Sequence, residues 1–486
     1  MTSLPLSSPS AHCVAASGIS AYLDALEHAG IEMHSLMVLR HGEVLAQGWW
    51  APFEPDRRHL MYSLSKSFTS MAAGIAWREG AFDLDDLVID LLPELLPDEP
   101  GVALDERFRR LRVRHVLSMA TGHEQDPIDA GWRIALARDE AAPDLARALF
   151  TIPPEREPGT LFTYNQLATH VVARIVERHA GTRLLDYLRP RLFEPLGITD
   201  PAWFGAGGHD LGYSGLHTHT RAIAALGQLL LQRGRWGEAQ LVPAEWIDEA
   251  TRVQQRNDPP EYTVEPGISL SPDWRLGYGF QFWIGQHGFR GDGAYGQFCL
   301  VLPDEDAVVV TTACTVDMSL ELQLAYDHLL PALRGEGEVS AAADAALAER
   351  LAALAIPVPG DAGAGPLEVS FERVAGDPGP VAASELSRIA LTPDDDGWLA
   401  RLSIGDVVGE LPIGRGQWRE GVWPVGGVPF VSTGGVGDDG VFRARCQMIE
   451  TPHALLVVGD PAGGTCTVQW NHPPLHSLDP ADHALT

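Results

Sequence analysis

The residues of this chain most plainly arranged for chemistry lie in the segment MYSLSKSFTSMAAGIAWREG. Ser63 and Lys66 are three positions apart, which puts a hydroxyl and an amine on one face of a helix. A serine hydroxyl is a weak nucleophile until a neighbouring base takes its proton. A lysine serves as that base only where burial and nearby positive potential lower its pKa. The S-x-x-K spacing by itself is a weak pattern, but composition sharpens it. The chain has 35 basic residues, and counting them gives 34 Arg and one Lys, which is Lys66. Arginine serves salt bridges and solubility as well as lysine does but is not deprotonated in proteins, so the one lysine stands where an amine has no substitute. Ser63 as nucleophile and Lys66 as its base are the expected catalytic pair.

The elements that must position this pair follow from periodicity. A helix is predicted from about Ser63 to Gly80, with Leu64, Phe68, Met71 and Ile75 at burial spacing and Ser63, Lys66, Ser67 and Ser70 on a polar stripe at the positive end of the helix dipole. Upstream, IEMHSLMVLRHGEVLAQGWW reads as two strands joined at His41-Gly42. Helical patterns follow at Asn165 to His179 and Arg221 to Arg233. The pattern returns to strands in LGYGFQFWIG, GAYGQFCLVL and DAVVVTTAC, and a helix follows at Leu320 to Leu333. Strands at both ends of a helical insert predict one sheet assembled from the two ends of a domain. An Ala-rich helix at Ala341 to Ala355 and the linker-like PVPGDAGAGP, Pro357 to Pro366, mark a boundary. Beyond it, runs such as LEVSFERV, GWLARLSI, VFRARCQMI and TCTVQW alternate with Gly, Pro and Asp clusters, as in an antiparallel barrel or sandwich. The expected organisation is a domain over 1–335 with a helical insert at about 80–265, a helix and linker over 336–365, and an all-β domain over 366–486.

Composition narrows the function classes. With 486 residues, 45% hydrophobic and 21% charged, the chain reads as a soluble globular protein of more than one domain. A net charge of −30 argues against nucleic acid and anionic lipid as partners. Five scattered cysteines, without C-x-x-C spacing, point to neither a disulfide framework nor a zinc site. The first arginine is Arg40, so the opening residues lack a basic n-region, and a cytoplasmic protein is expected. His217, His219 and the His209-Asp210 pair read as structural residues, with no third ligand to complete a metal pattern, and no cofactor is expected.

Several blocks in order, VLRHGEVLAQGWW, MYSLSKSFTS, EGAFDLDDLVIDLLPEL, LRVRHVLSMATGHE, EPGTLFTYN and FEPLGITDPAWF, make residues 20 to 333 resemble the serine β-lactamase and penicillin-binding-protein superfamily. The likeness is to its class C-like branch, which also holds esterases, D-aminopeptidases and nylon-oligomer hydrolases. The resemblance implies an α/β (α+β) fold: an antiparallel sheet flanked by helices, with an all-helical subdomain. It implies an acyl-enzyme at Ser63. The family's Tyr-x-Asn triplet is matched by Tyr164, implied to relay a proton to the leaving group. Its third position holds Gln166, with Asn165 one place early, so both are candidate substrate contacts. The family's Lys-Thr-Gly or His-x-Gly triplet aligns with Gly291, Asp292 and Gly293. The cation is missing there and Arg290 is its nearest substitute. The N–H groups of Ser63 and Ala294 are implied to form the oxyanion hole, worth about 3 kcal/mol per donor. His123 is a further candidate at the substrate rim.

The missing cation and the expected compartment favour an esterase or a D-aminopeptidase-like amidase acting on a small substrate over a β-lactamase or DD-carboxypeptidase. The alternative of another class is a non-catalytic, ligand-binding relative. Oligomeric state is not legible.

Overall fold

A computed structural model describes residues 4–97, 103–137, 144–257, 271–360, 367–374 and 386–485. Six strands, β1 (Glu32–Arg40), β2 (Glu43–Trp49), β3 (Trp283–Gly285), β4 (Gly288–Gly293), β5 (Gln297–Leu302) and β6 (Ala307–Cys314), form one antiparallel sheet in the order β3-β4-β5-β6-β1-β2. The two ends of the domain therefore meet in the middle of the sheet, with Leu36 opposite Thr311 and Val38 opposite Val309. Residues 33–39 of β1 and all of β6 are buried, because helices cover both faces. Helix α1 (Ala16–Ala29) packs with a helix at Met318–Leu333, while the helix at Thr220–Leu231 lies against β1, β5 and β6.

The predicted helix after Ser63 is a 3-10 turn, Tyr62–Leu64, running into α2 (Ser65–Arg78). Leu64, Phe68, Met71 and Ile75 are fully buried as their spacing predicts. Of the polar stripe Lys66, Ser67 and Ser70 are buried too and Ser63 is half-buried, since α2 packs against α3 (Gln166–Ala180) on one side and β4 on another. Two expected boundaries shift. Within LGYGFQFWIG only Trp283–Gly285 is a strand, because Gln281 adopts φ +71° and breaks the extended path. The helix predicted to Ala355 stops at Ala352, because the chain then pairs with Ala51, which donates to Leu354 O at 3.0 Å and accepts from Ile356 N at 2.8 Å. Linker positions 361–366 lie outside the described residues.

After the linker come strands β7 (Val369–Arg373), β8 (Leu386–Asp394), β9 (Gly397–Ile404), β10 (Val407–Arg415), β11 (Arg419–Val422), β12 (Pro429–Val436), β13 (Phe442–Met448), β14 (Ala454–Asp460) and β15 (Thr465–Trp470). They run in the order β10-β9-β8-β7-β15-β14-β13-β12, and a parallel pairing of Gly414 with Thr433 closes eight of them into a barrel, with β11 on the edge of β12. Trp398, Phe430, Phe442 and Trp470 fill its interior, and the residual cavity of about 20 Å³ holds no more than a water. The barrel docks against the first domain. Val431 and Ile449 join the core of the first domain, and Arg445 forms a bidentate ion pair with Glu32 at 2.7 and 2.5 Å. Among the described residues, no helix is long and apolar enough to cross a membrane.

Candidate active site

Ser63 follows a residue held in an uncommon conformation. Tyr62 has φ +47°, a left-handed value that bulky side chains rarely adopt and that marks a site where surrounding contacts dictate the backbone. One turn later Lys66 is 1% exposed, and its Nζ has three neighbours: Ser63 Oγ at 3.0 Å, Gln166 Oε1 at 2.6 Å and the Tyr213 carbonyl at 2.9 Å. Burial pulls the Lys66 pKa down to about 7, against the opposing pull of the Asp126 and Asp292 carboxylates. An amide oxygen and a backbone carbonyl only accept. A neutral Lys66 thus spends its two N–H bonds on Gln166 and Tyr213 and leaves its lone pair toward the Ser63 hydroxyl.

Tyr164 lies beside this pair, with Lys66 Nζ 4.7 Å from its ring centre. Its ring stacks on Trp283 at 5.4 Å and meets Tyr278 edge-on at 6.0 Å, so packing fixes its plane. The opposite wall is the end of β4. A Cβ on Gly293 would sit 2.2 Å from Met61 O and 3.2 Å from Leu64 N, and one on Gly291 would sit 2.3 Å from Leu64 Cδ1. The strand thus presses against the turn carrying Ser63 because both positions lack a side chain. The turn Ala294–Gly296 that follows lies next to that contact, with Tyr295 at φ +68°.

Ser63, Lys66, Tyr164, Gln166 and Gly293 are therefore brought together, with Ala294 adjoining them. Four other sequence candidates, Arg290, Asp292, Asn165 and His123, are engaged elsewhere. Arg290 is no substitute cation. It points to the face of β4 away from α2, 1% exposed, with its Nε donating to Asp292 Oδ2 at 3.1 Å and its guanidinium 4.3 Å from the Trp274 ring centre. Asp292 is spent on the same pair, and burial raises its pKa. Asn165 is the N-cap of α3: its Oδ1 accepts from Ala168 N at 3.0 Å and its Nδ2 donates to Thr121 Oγ1 at 2.9 Å, and the side chain is fully buried, out of a substrate's reach. His123 continues that chain, its Nδ1 accepting from Thr121 Oγ1 at 2.9 Å and its Nε2 donating to Ile152 O at 2.9 Å. It is 2% exposed, and its carbonyl accepts from Oγ1 of Thr163, the residue before Tyr164, at 2.5 Å.

Sequence reasoning misses two neighbours of Lys66. Tyr213 contributes a backbone carbonyl, and the flanking Gly212 and Gly215, at φ +71° and +86°, are the sequence sign of the tight turn that delivers it. Asp126 accepts from the backbone N–H groups of Gln166 and Ile128, both at 3.2 Å, and burial pushes its carboxyl up to about 6 against those bonds and the Lys66 charge.

The profile of the family described as Beta-lactamase matches residues 21–318. The chain belongs to that family. Over 286 residues this Beta-lactamase family member is 29% identical to the 6-aminohexanoate-dimer hydrolase of Paenarthrobacter ureafaciens, across 57% of this chain and 71% of that protein. Over 209 residues it is 29% identical to the lovastatin esterase of Penicillium rubens, across 40% of this chain and 52% of that protein. Its fold is similar to that of EstCE1, described as a hydrolase with promiscuous acyltransferase activity, with a TM-score of 0.51 at 18% identity over 68% of this chain and 99% of that one. The chain is an enzyme of the serine hydrolase superfamily related to β-lactamases.

Proposed function

We propose that the enzyme hydrolyses a small ester or amide through an acyl-enzyme at Ser63. One observation carries this reading: a lysine with its pKa lowered to about 7 lies 3.0 Å from the serine hydroxyl, its other hydrogens committed to groups that only accept. Near neutral pH a large share of Lys66 is then unprotonated and takes the Ser63 proton as Oγ attacks the carbonyl carbon. The N–H groups of Ser63 and Ala294 hold the oxyanion. Tyr164 passes a proton to the leaving alcohol or amine, and then helps water attack the acyl group, restoring Ser63. The catalytic part is assigned to residues 1–335 and the barrel to 366–486, joined by 336–365.

The substrate preference follows from charge. Gly291 offers no cation, Arg290 is paired with Asp292, and Asp126 and Asp292 both lie near Lys66. A carboxylate-bearing β-lactam or cell-wall peptide finds no counter-charge there among the described residues, whereas a neutral acyl group needs none. The relatives named for a 6-aminohexanoate dimer and for lovastatin ester hydrolysis are consistent with either an amide or an ester bond.

Intact mass after incubation with 4-nitrophenyl butyrate, D-alanine amide, nitrocefin and a fluorophosphonate tests the reading. Wild type gains the acyl or phosphonyl mass at Ser63, Ser63→Ala gains none, and Lys66→Arg loses on the order of a thousandfold in rate because its guanidinium does not accept a proton. A wild type that no reagent modifies returns the chain to a ligand-binding role.

A further inference from the structure

The barrel reaches the catalytic domain at the backbone of the site. The Tyr62 hydroxyl lies 2.5 Å from His453 Nε2. Ser214 Oγ lies 2.8 Å from His476 Nε2, and Tyr295 donates its hydroxyl proton to Pro473 O at 2.6 Å. Each of the three anchored residues adjoins a group of the site in sequence. Tyr62 precedes Ser63, Ser214 follows Tyr213 whose carbonyl holds Lys66, and Tyr295 follows Ala294. All three anchors come from the barrel's β13–β14 turn and from residues 471–478 after its last strand.

The hydrogen-bond directions at Tyr62 are fixed. His453 Nδ1 lies 2.8 Å from His472 O, a carbonyl that only accepts, so this nitrogen carries the proton. Burial disfavours the charged form of the ring, its Nε2 is an acceptor, and the Tyr62 hydroxyl donates to it. The ring of Tyr62 is also stacked on His476 at 5.4 Å. A residue at φ +47° keeps that conformation where its surroundings over-determine it, and here the barrel supplies much of what does so.

We propose that Tyr62, His453 and the 471–478 segment form a clamp by which the C-terminal barrel positions the Ser63 hydroxyl, the Lys66 amine and the Ala294 amide for reaction. The inference rests on the acyl-enzyme reading above. Tyr62 is a positioning residue in this scheme: it acts through Ser63 and does not touch substrate. Small displacements of a nucleophile are costly in rate while leaving ground-state binding largely intact, so the clamp acts on kcat more than on KM.

The test uses the full chain with Tyr62→Phe, which keeps the stacked ring and removes one hydroxyl. Steady-state kinetics with 4-nitrophenyl butyrate, the rate of fluorophosphonate labelling at Ser63 and the melting curve are compared with wild type. We expect kcat and the labelling rate to fall by about tenfold with KM within about twofold. A folded Tyr62→Phe that turns over and labels at the wild-type rate overturns the clamp while leaving the acyl-enzyme intact. A wild type that is not labelled at Ser63 overturns the acyl-enzyme and the clamp together. Where Tyr62→Phe does not fold, Ser214→Ala reads the same quantities at a second anchor: a fall in kcat at constant KM supports the clamp, and wild-type kcat overturns it.

Discussion

Lys66 Nζ and Gln166 Oε1 lie 2.6 Å apart, closer than the amine is to Ser63 itself. Gln166 stands where the resemblance to known relatives leads one to expect a substrate contact, and here its amide oxygen occupies one hydrogen of the lysine. A charge at this position acts directly on the proposed base. Gln166→Glu places a carboxylate against the amine and raises the Lys66 pKa from about 7 by roughly one to three units. With Lys66 as the proposed base its unprotonated form is the active one, so the acid limb of kcat/KM against pH moves up by the same amount and activity at pH 7 falls. A limb that stays in place would remove Lys66 from the role of base.

Asp126→Asn moves the limb the other way. The Asp126 carboxylate favours protonated Lys66, and Lys66 in turn helps hold the Asp126 carboxyl below where burial alone would put it. Removing the charge leaves desolvation less opposed, so the Lys66 pKa drops and the acid limb extends to lower pH. Measured beside Gln166→Glu on the same ester, the two variants bracket wild type on opposite sides; a shift in the same direction for both would contradict this electrostatic account.

Gly293→Ala tests the approach of β4 to the nucleophile turn. The new Cβ would meet Met61 O at 2.2 Å, a backbone atom that yields only if strand or turn moves. Overpacking of this kind costs about 1–3 kcal/mol. The displacement also separates the Ala294 amide from Ser63, so kcat falls by about a hundredfold. Denaturant melts and ester kinetics report the two effects separately, and an unchanged kcat in a destabilised protein would argue against an oxyanion role for this edge.

How far the sequence speaks depends on what kind of atom does the work. The Ser63–Lys66 contact is legible because the proposed chemistry demands particular side chains at one spacing, and the central sheet because β1 and β6 carry long apolar runs closed by turns. The barrel is legible as alternating strands, but its closure through the Gly414–Thr433 pairing is not, since parallel contacts between separate strands leave no local pattern. Tyr213 escapes because any residue supplies a carbonyl. Asn165 and Gln166, both candidate substrate contacts in the sequence, part company in the structure: capping takes Asn165 and leaves Gln166 on the first turn of α3, its Oε1 on Lys66. Strand alternation turns Arg290 away from the site, yet its burial against Trp274 depends on a segment far along the chain from α2.

The contact between barrel and catalytic domain carries a pH signature of its own. Burial would raise the Glu32 carboxyl, but hydrogen bonds from His34 and Arg445 overcome it and hold its pKa at about 2, below the ordinary 4.5. A carboxyl depressed in the folded state stabilises above its unfolded pKa and loses that contribution as pH falls from about 4.5 through about 2. Arg445→Met removes the guanidinium and leaves a poorly solvated carboxylate, costing about 3–5 kcal/mol at pH 7. Without Arg445, desolvation faces less opposition and the Glu32 pKa rises, so protonation relieves the variant at a pH where wild type is still ionised. The stability gap between the two proteins therefore narrows as pH is lowered from 7 toward 4. Urea melts at several pH values measure it, and a gap that stays constant would show that Arg445 acts there through packing and not through its charge.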